Sequence, residues 1–197
     1  MENEARIGSK KTAYILGVLG VILTLLLAAA VILFWESILA LEGYGYLGAF
    51  LISILGGATI IIPVPMLAVI FALGGVLPPY WVGIAAGLGE TVGAVTIYMT
   101  GYGGGTAFVY SKHGKVQAVY SRLMRWMERR GSWTLFVLSA VLNPFFYPAA
   151  LAAGALRFGL QRYFLICLAG KLIKGITVAY AGYWGLRGLL RMLGMPV

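Results

Sequence analysis

Residues 46–102 read YLGAFLISILGGATIIIPVPMLAVIFALGGVLPPYWVGIAAGLGETVGAVTIYMTGY. Glu90 is the single charged side chain in these 57 positions, whereas about a quarter of the residues of an ordinary soluble domain are charged. Proline divides the run, because it removes a backbone donor and clashes with the preceding helical turn. Pro63, Val64 and Pro65 cut Tyr46 to Leu77 into apolar pieces of 17 and 12 residues, and neither matches the roughly 20 residues of a full helical span. Pro78 and Pro79 form a turn. Beyond them Tyr80 to Tyr102 is a full-length apolar run with Glu90 near its middle.

The rest of the chain agrees with that reading. It has 197 residues, 61% hydrophobic and 11% charged, with no Asp and a mean hydropathy of +0.92. This composition excludes a soluble enzyme. A lone cysteine, Cys167, excludes a secreted disulfide scaffold, and continuous apolar runs exclude an outer-membrane barrel, which needs alternation. The expected class is all-α integral membrane protein, a single domain over residues 1–197.

Charge sets the orientation. No Lys or Arg lies between Lys11 and Lys112, where the charged residues are Glu36, Glu42 and Glu90. Arg6, Lys10 and Lys11 precede the gap; Lys112, Lys115, Arg122, Arg125, Arg129 and Arg130 follow it. A net charge of +9 on so apolar a chain reads as positive-inside topology with affinity for anionic lipid headgroups, and nucleic acid is not an expected partner. Residues 13–35 are expected to form an N-terminal transmembrane helix leading outward from a cytoplasmic N-terminus. The alternative, a signal peptide cut after Ala28 and Ala30, fits less well because the run continues past them.

Gly103 to Gly105 reads as a flexible exit from the span; it lacks the Lys and Ser/Thr of a phosphate loop. Residues 112–130 then place Val116, Val119, Tyr120, Leu123, Met124 and Met127 at spacings of three and four, with bases between them. That pattern predicts a basic amphipathic helix on the cytoplasmic surface, meeting anionic headgroups at Lys115, Arg122, Arg125, Arg129 and Arg130. A solvated linker helix is the plainer alternative. Residues 132–186 repeat the earlier pattern: an apolar segment broken at Asn143, Pro144 and Pro148, a polar turn at Arg157 to Arg162, and a long run from Tyr163 to Leu186.

Were Tyr46 to Leu77 one kinked span, the central bases would face the side opposite the N-terminus, against the positive-inside rule. A re-entrant hairpin entering and leaving from outside returns them to the cytoplasm, and the same logic makes Ser132 to Arg157 a hairpin entering from inside. Eleven bases then lie inside, with Arg187 and Arg191 outside. A shift of 81 positions superposes Pro63 on Pro144, Ala72 on Ala153, Gly89 on Gly170, Gly101 on Gly182 and Tyr102 on Tyr183, among eight identities in 42 positions. The expected architecture is an inverted repeat, residues 46–102 and 132–186, each a re-entrant helical hairpin plus a transmembrane helix.

The same shift sets Glu90 opposite Lys171, each about mid-span, where an isolated charge costs roughly 2.5–3.5 kcal/mol on insertion scales. Mutual pairing offsets that cost. A static pair joining two spans is the plain reading; a carboxylate in a wet cavity that also takes a proton is the functional one. Lys174, one turn beyond Lys171, either adds a second ammonium to a phosphate site or snorkels to the surface.

These residues resemble the DedA/VTT family, also called the SNARE-associated Golgi protein family. The resemblance rests on the Pro-x-Pro of IIPVP, the run GLGETVGAVTIYMTGYGGG, the RRGSW before the second hairpin, and AAGALRFGLQRYFLICLAGKLIKGITVAYAGYWG, and covers about residues 45 to 186. It implies two opposed re-entrant loops and transbilayer movement of lipids, as scramblases or as carriers of undecaprenyl phosphate or phosphatidylethanolamine, some thought to be proton-coupled. The chain departs from many bacterial relatives in having Met66 and Leu67 after the Pro-x-Pro, where they have Gly-Glu. It also has Val141 to Tyr147 in place of an arginine-rich signature.

One His, one Cys and no Asp leave no converging set for hydrolysis or for a metal. Neither enzymatic activity nor a cofactor is expected; His113 reads as interfacial and Cys167 as packing. The leading expectation is a lipid transporter of a prokaryotic plasma membrane, flippase- or scramblase-like. It would move a phospholipid or polyprenyl-phosphate headgroup along a polar path lined by Glu90, Lys171, Lys174, Pro63, Pro65, Asn143, Pro144 and Pro148. A small-solute or ion exporter and a noncatalytic membrane organiser are the alternatives, and homo-oligomerisation stays open.

Overall fold

The computed structural model of the chain describes residues 42–58, 66–109, 114–142 and 145–192. The expected N-terminal helix over residues 13–35, the break at Pro63 and Pro65, the Asn143–Pro144 pair and His113 lie outside the described residues. Within them the chain is all-helical: α1 Glu42–Ala58, α2 Met66–Val76, α3 Pro79–Val109, α4 Gly114–Ala140, α5 Phe146–Ala155 and α6 Leu160–Met192.

Helix lengths follow the proline pattern. Pro79 is the first residue of α3, the position where a missing N–H costs nothing and a fixed φ is already helical. Among the described residues two helices, over Pro79–Gly103 and Leu160–Leu186, are long and apolar enough to cross a membrane. The 11 residues of α2 and 10 of α5 rise only about 15–17 Å at 1.5 Å each, half of a hydrocarbon core of about 30 Å.

Three local expectations are corrected. Gly103 to Gly105 is no flexible exit: α3 continues through it to Val109. The penalty of about 1 kcal/mol per glycine is outweighed where an apolar surround gives the backbone no other hydrogen-bond partner. Pro148 does not lie in the broken backbone; it sits in the first turn of α5, where the N–H that proline lacks would have no helical acceptor. The polar turn is shorter than Arg157 to Arg162. It closes as a Schellman motif, with Arg157 N–H on the Gly154 carbonyl at 2.9 Å and Phe158 N–H on that of Ala153 at 3.0 Å, and Arg162 already belongs to α6. Arg157 takes the left-handed φ of 49° at the position glycine usually holds, with its guanidinium 5.2 Å from the centre of the Tyr102 ring.

The helix expected over residues 112–130 is the first part of α4, which bends at Arg130 (φ −142°, ψ 43°). Among its described side chains Arg122, Arg125, Trp126, Glu128, Arg129 and Arg130 are exposed and Met127 is buried. Beyond the bend, Gly131 to Ala140 is the first arm of the segment that α5 completes.

The long helices α3 and α6 form the central pair, with α1 laid along α3 and α4 along α6. Each short helix packs on the opposite long one, α2 on α6 and α5 on α3. Two apolar clusters result. One joins Ala49, Ile70, Leu73, Val82, Ala86 and Ala179; the other joins Ala94, Tyr98, Leu135, Phe146, Tyr163 and Cys167. Glycine sets the approach of the short helices: a β-carbon at Gly154 would strike the Tyr98 carbonyl, and one at Gly74 the Ala179 carbonyl. Gly154→Ala and Gly74→Ala are each expected to cost about 1–3 kcal/mol by overpacking. Thermal unfolding in detergent measures this, with Gly48→Ala, which meets open space, as the substitution that leaves stability intact.

Apolar side chains also cover the outside. Leu47, Leu51 and Leu55 are 50–60% exposed along one stripe of α1, while Glu90 and Lys171 are 5% and 1% exposed. Water would favour the reverse distribution; a bilayer favours this one.

Candidate functional site: a buried ionic triad

Glu90 lies in α3 between Ala86 of one apolar cluster and Ala94 of the other. Lys171 and Lys174 lie in α6 between Cys167 and Ala179, which divide between the clusters in the same way. The ionic groups therefore sit at the seam of the two cores. Glu90 and Lys171 are 81 residues apart, so their meeting is tertiary.

Both ammoniums donate to one oxygen. Lys171 Nζ is 2.6 Å and Lys174 Nζ 2.5 Å from Glu90 Oε1. The side chain of Lys174 is 12% exposed against 1% for Lys171, so Lys174 bends inward and does not snorkel. Counting formal charges, the triad carries one surplus positive charge. The face of the Phe146 ring, centred 3.9 Å from Lys171 Nζ, stabilises the inner ammonium through its quadrupole.

The flanks of both breaks converge on this point. Gly57, near the C-terminal end of α1, approaches Glu90 so closely that a β-carbon would strike its carbonyl oxygen. From the other half, Phe146 covers Lys171 and the next residue, Tyr147, donates its hydroxyl to the Gly56 carbonyl at 2.9 Å. Met66, the first residue of α2, packs on Gly56 as well.

Among the described residues Ser53 Oγ of α1 is buried without a hydrogen-bond partner, whereas two other buried hydroxyls nearby are satisfied. Thr91 donates to the Gly87 carbonyl within α3 at 2.6 Å, an economy typical of hydroxyls in apolar helices. Tyr163 donates to the Ala94 carbonyl at 3.1 Å and ties α6 to α3. Among the described residues no three His, Cys, Asp or Glu side chains converge.

Of the expected path residues the structure brings together Glu90, Lys171 and Lys174. Pro148 is half-buried in α5, while Pro63, Pro65, Asn143 and Pro144 lie outside the described residues. The residues that sequence reasoning missed are Phe146, Tyr147 and Gly57. Their signal was position: the second and third of the three aromatics that follow Asn143–Pro144, and a glycine six residues before Pro63.

Gly57→Ala is expected to displace Glu90, since the clash is with its backbone and no flexible side chain can yield. Weakened protection of the α3 amides around Glu90 in hydrogen exchange, with those near Tyr102 unchanged, is the readout.

The VTT domain family profile matches residues 62–184. No curated protein and no solved structure matches the chain.

Proposed function

The chain belongs to the VTT-domain family, and from that membership and the buried triad we propose that it carries an anionic lipid headgroup, phospholipid or polyprenyl phosphate, across a prokaryotic plasma membrane. The observation that carries the reading is the surplus positive charge of Glu90, Lys171 and Lys174 at the seam of the two cores. An unbalanced ammonium in an apolar surround is costly, and a phosphate group is the counter-charge that relieves it. Lys174, the more exposed ammonium, meets the phosphate first. Glu90 keeps Lys171 satisfied while the site is empty, and its release of one lysine, with or without a proton taken up, provides the step.

The architecture in this proposal is an inverted repeat of two re-entrant hairpins. The pattern of close approaches supports it. Gly74 meets Ala179 while Gly154 meets Tyr98, and Gly182 meets Phe71 while Gly101 meets Leu151. The long-helix partners in these contacts are separated by 81 positions and the short-helix partners by 80, so one contact geometry is used twice. A residue that bonds its own symmetry mate, as Glu90 bonds Lys171, lies on the pseudo-twofold axis. In an inverted repeat that axis runs in the membrane plane. Each short helix, too short to cross, then dips from one leaflet, with its first residue near the triad: Met66 against Gly56 and Phe146 against Lys171. The N-terminus and the basic part of α4 face the cytoplasm.

Reconstitution tests the reading. Vesicles containing the protein are expected to move labelled phosphatidylglycerol between leaflets faster than protein-free vesicles, and faster than a labelled lipid with an uncharged headgroup. Movement no faster than in protein-free vesicles defeats it. Uptake of a small phosphate ester without lipid movement makes the protein an exporter instead.

A further inference from the structure

A second set of charges lies away from the triad, at the bend of α4. Arg130 leaves helical geometry there, and a groove of about 550 Å³ opens around the bend, lined by Trp126, Arg129, Arg130, Trp133, Val137 and Leu138. Its two ends differ in chemistry. Arg129 and Arg130 are exposed and supply ten guanidinium N–H donors between them, while Val137 and Leu138 continue the groove along the apolar arm. Trp126 and Trp133 are 58% and 63% exposed, the condition of indoles that sit at headgroup level.

The bend is anchored from α6. Arg162 donates to Ser132 Oγ at 2.7 Å and its guanidinium stands 4.9 Å from the centre of the Phe158 ring. The same ring lies against Gly131, where a β-carbon would strike it. Glu128, the exposed acid of this turn, is not among the lining residues.

We propose that this groove is a binding site for one anionic phospholipid of the adjacent leaflet, its phosphate held by Arg129 and Arg130 and its first acyl segment lying against Val137 and Leu138. Charge complementarity selects the headgroup, because a planar guanidinium matches phosphate oxygens two at a time. Continuity with the apolar arm selects a lipid over a free phosphate. The site rests on the membrane reading of the chain alone; it needs no carriage by the triad, and either can fail without the other.

The whole chain carrying Trp35→Phe, Trp81→Phe and Trp184→Phe keeps Trp126 and Trp133 as its indoles. It is reconstituted into phosphatidylcholine vesicles in which a minor fraction of the lipid is brominated, either as phosphatidylglycerol or as phosphatidylcholine. Two arginines at the surface predict enrichment of the anionic lipid on the order of 30-fold, read as stronger fluorescence quenching by brominated phosphatidylglycerol. Arg129→Gln with Arg130→Gln is expected to abolish the preference. Arg129→Lys with Arg130→Lys is expected to retain much of it, which separates lost charge from lost fold. Arg122→Gln with Arg125→Gln, on the same helix but outside the groove, is expected to leave it largely intact. Equal quenching by both brominated lipids overturns the proposal, as does a preference that survives the Arg129/Arg130 glutamine pair. So does an equal loss from the Arg122/Arg125 pair, which means diffuse surface attraction, or displacement by soluble glycerol phosphate, which means a free-phosphate site.

Discussion

Glu90→Gln is expected to destabilise the protein more than any other single substitution in the triad, by about 3–5 kcal/mol. The substitution leaves two ammoniums within hydrogen-bond distance of one amide oxygen. Neither keeps a counter-charge, and each repels the other. The ring of Phe146 offsets only part of this, since a cation–π contact contributes about 2 kcal/mol when desolvated. Unfolding in detergent micelles measures the loss, and a double-mutant cycle with Lys171→Met assigns it. Removing the inner ammonium as well is expected to recover about 1–2 kcal/mol of coupling energy, because one unpaired charge is less costly than two. Parent-like stability of Glu90→Gln means that the carboxylate does not hold the two lysines together.

The second large effect is on function and falls on Lys174. Lys174→Met leaves a neutral Glu90–Lys171 pair at 2.6 Å and removes the more exposed of the two ammoniums. Stability is expected to change by no more than about 1.5–3 kcal/mol, the worth of one charge-assisted hydrogen bond. Carriage of an anionic headgroup, by contrast, loses the charge that attracts it. A unit charge about 4 Å from a phosphate is worth about 4 kcal/mol at an effective dielectric constant near 20, so transport is expected to fall on the order of 100-fold, allowing for partial solvation. Lys174→Arg keeps the charge and is expected to keep most of the rate. Movement of phosphatidylglycerol in Lys174→Met vesicles at the parent rate removes the surplus charge from the mechanism and leaves the triad as a structural clasp. The pair of substitutions separates two properties that coincide in the native triad: Glu90 holds the site together, and Lys174 gives it a net sign.

How legible these features were depends on their range. The short α2 and α5 follow from prolines adjacent in sequence, although Pro79, read as part of a turn, opens α3, and the 81-residue shift sets Glu90 against Lys171 from sequence alone. Local rules misled where tertiary surroundings overrode them: Gly103 to Gly105 reads as a breaker, yet α3 runs through it, and Pro148 reads as part of a break, yet it lies in the first turn of α5. The sharing of Oε1 by both lysines was not legible, because spacing places Lys174 on the face of Lys171 without saying which way its side chain bends. Nor were Phe146 and Tyr147, since a shift of 81 aligns the long helices while the short helices make their contacts at 80.

Composition and charge distribution by themselves determined the solvent of this chain, because the transfer of each side chain into a bilayer depends on its own chemistry and hardly on its neighbours. They also marked Glu90, Lys171 and Lys174 as costly there. The sequence repeat pointed to the Glu90–Lys171 pair; the contacts that complete it were decided by the tertiary structure: the Glu90 oxygen and Tyr147 find partners 81, 84 and 91 residues away. Distances of 2.5–2.9 Å across such separations depend on how closely α1, α5 and α6 approach α3 and one another. That approach is set by bare glycines meeting carbonyl groups on another helix, a property of two surfaces together that neither segment carries alone.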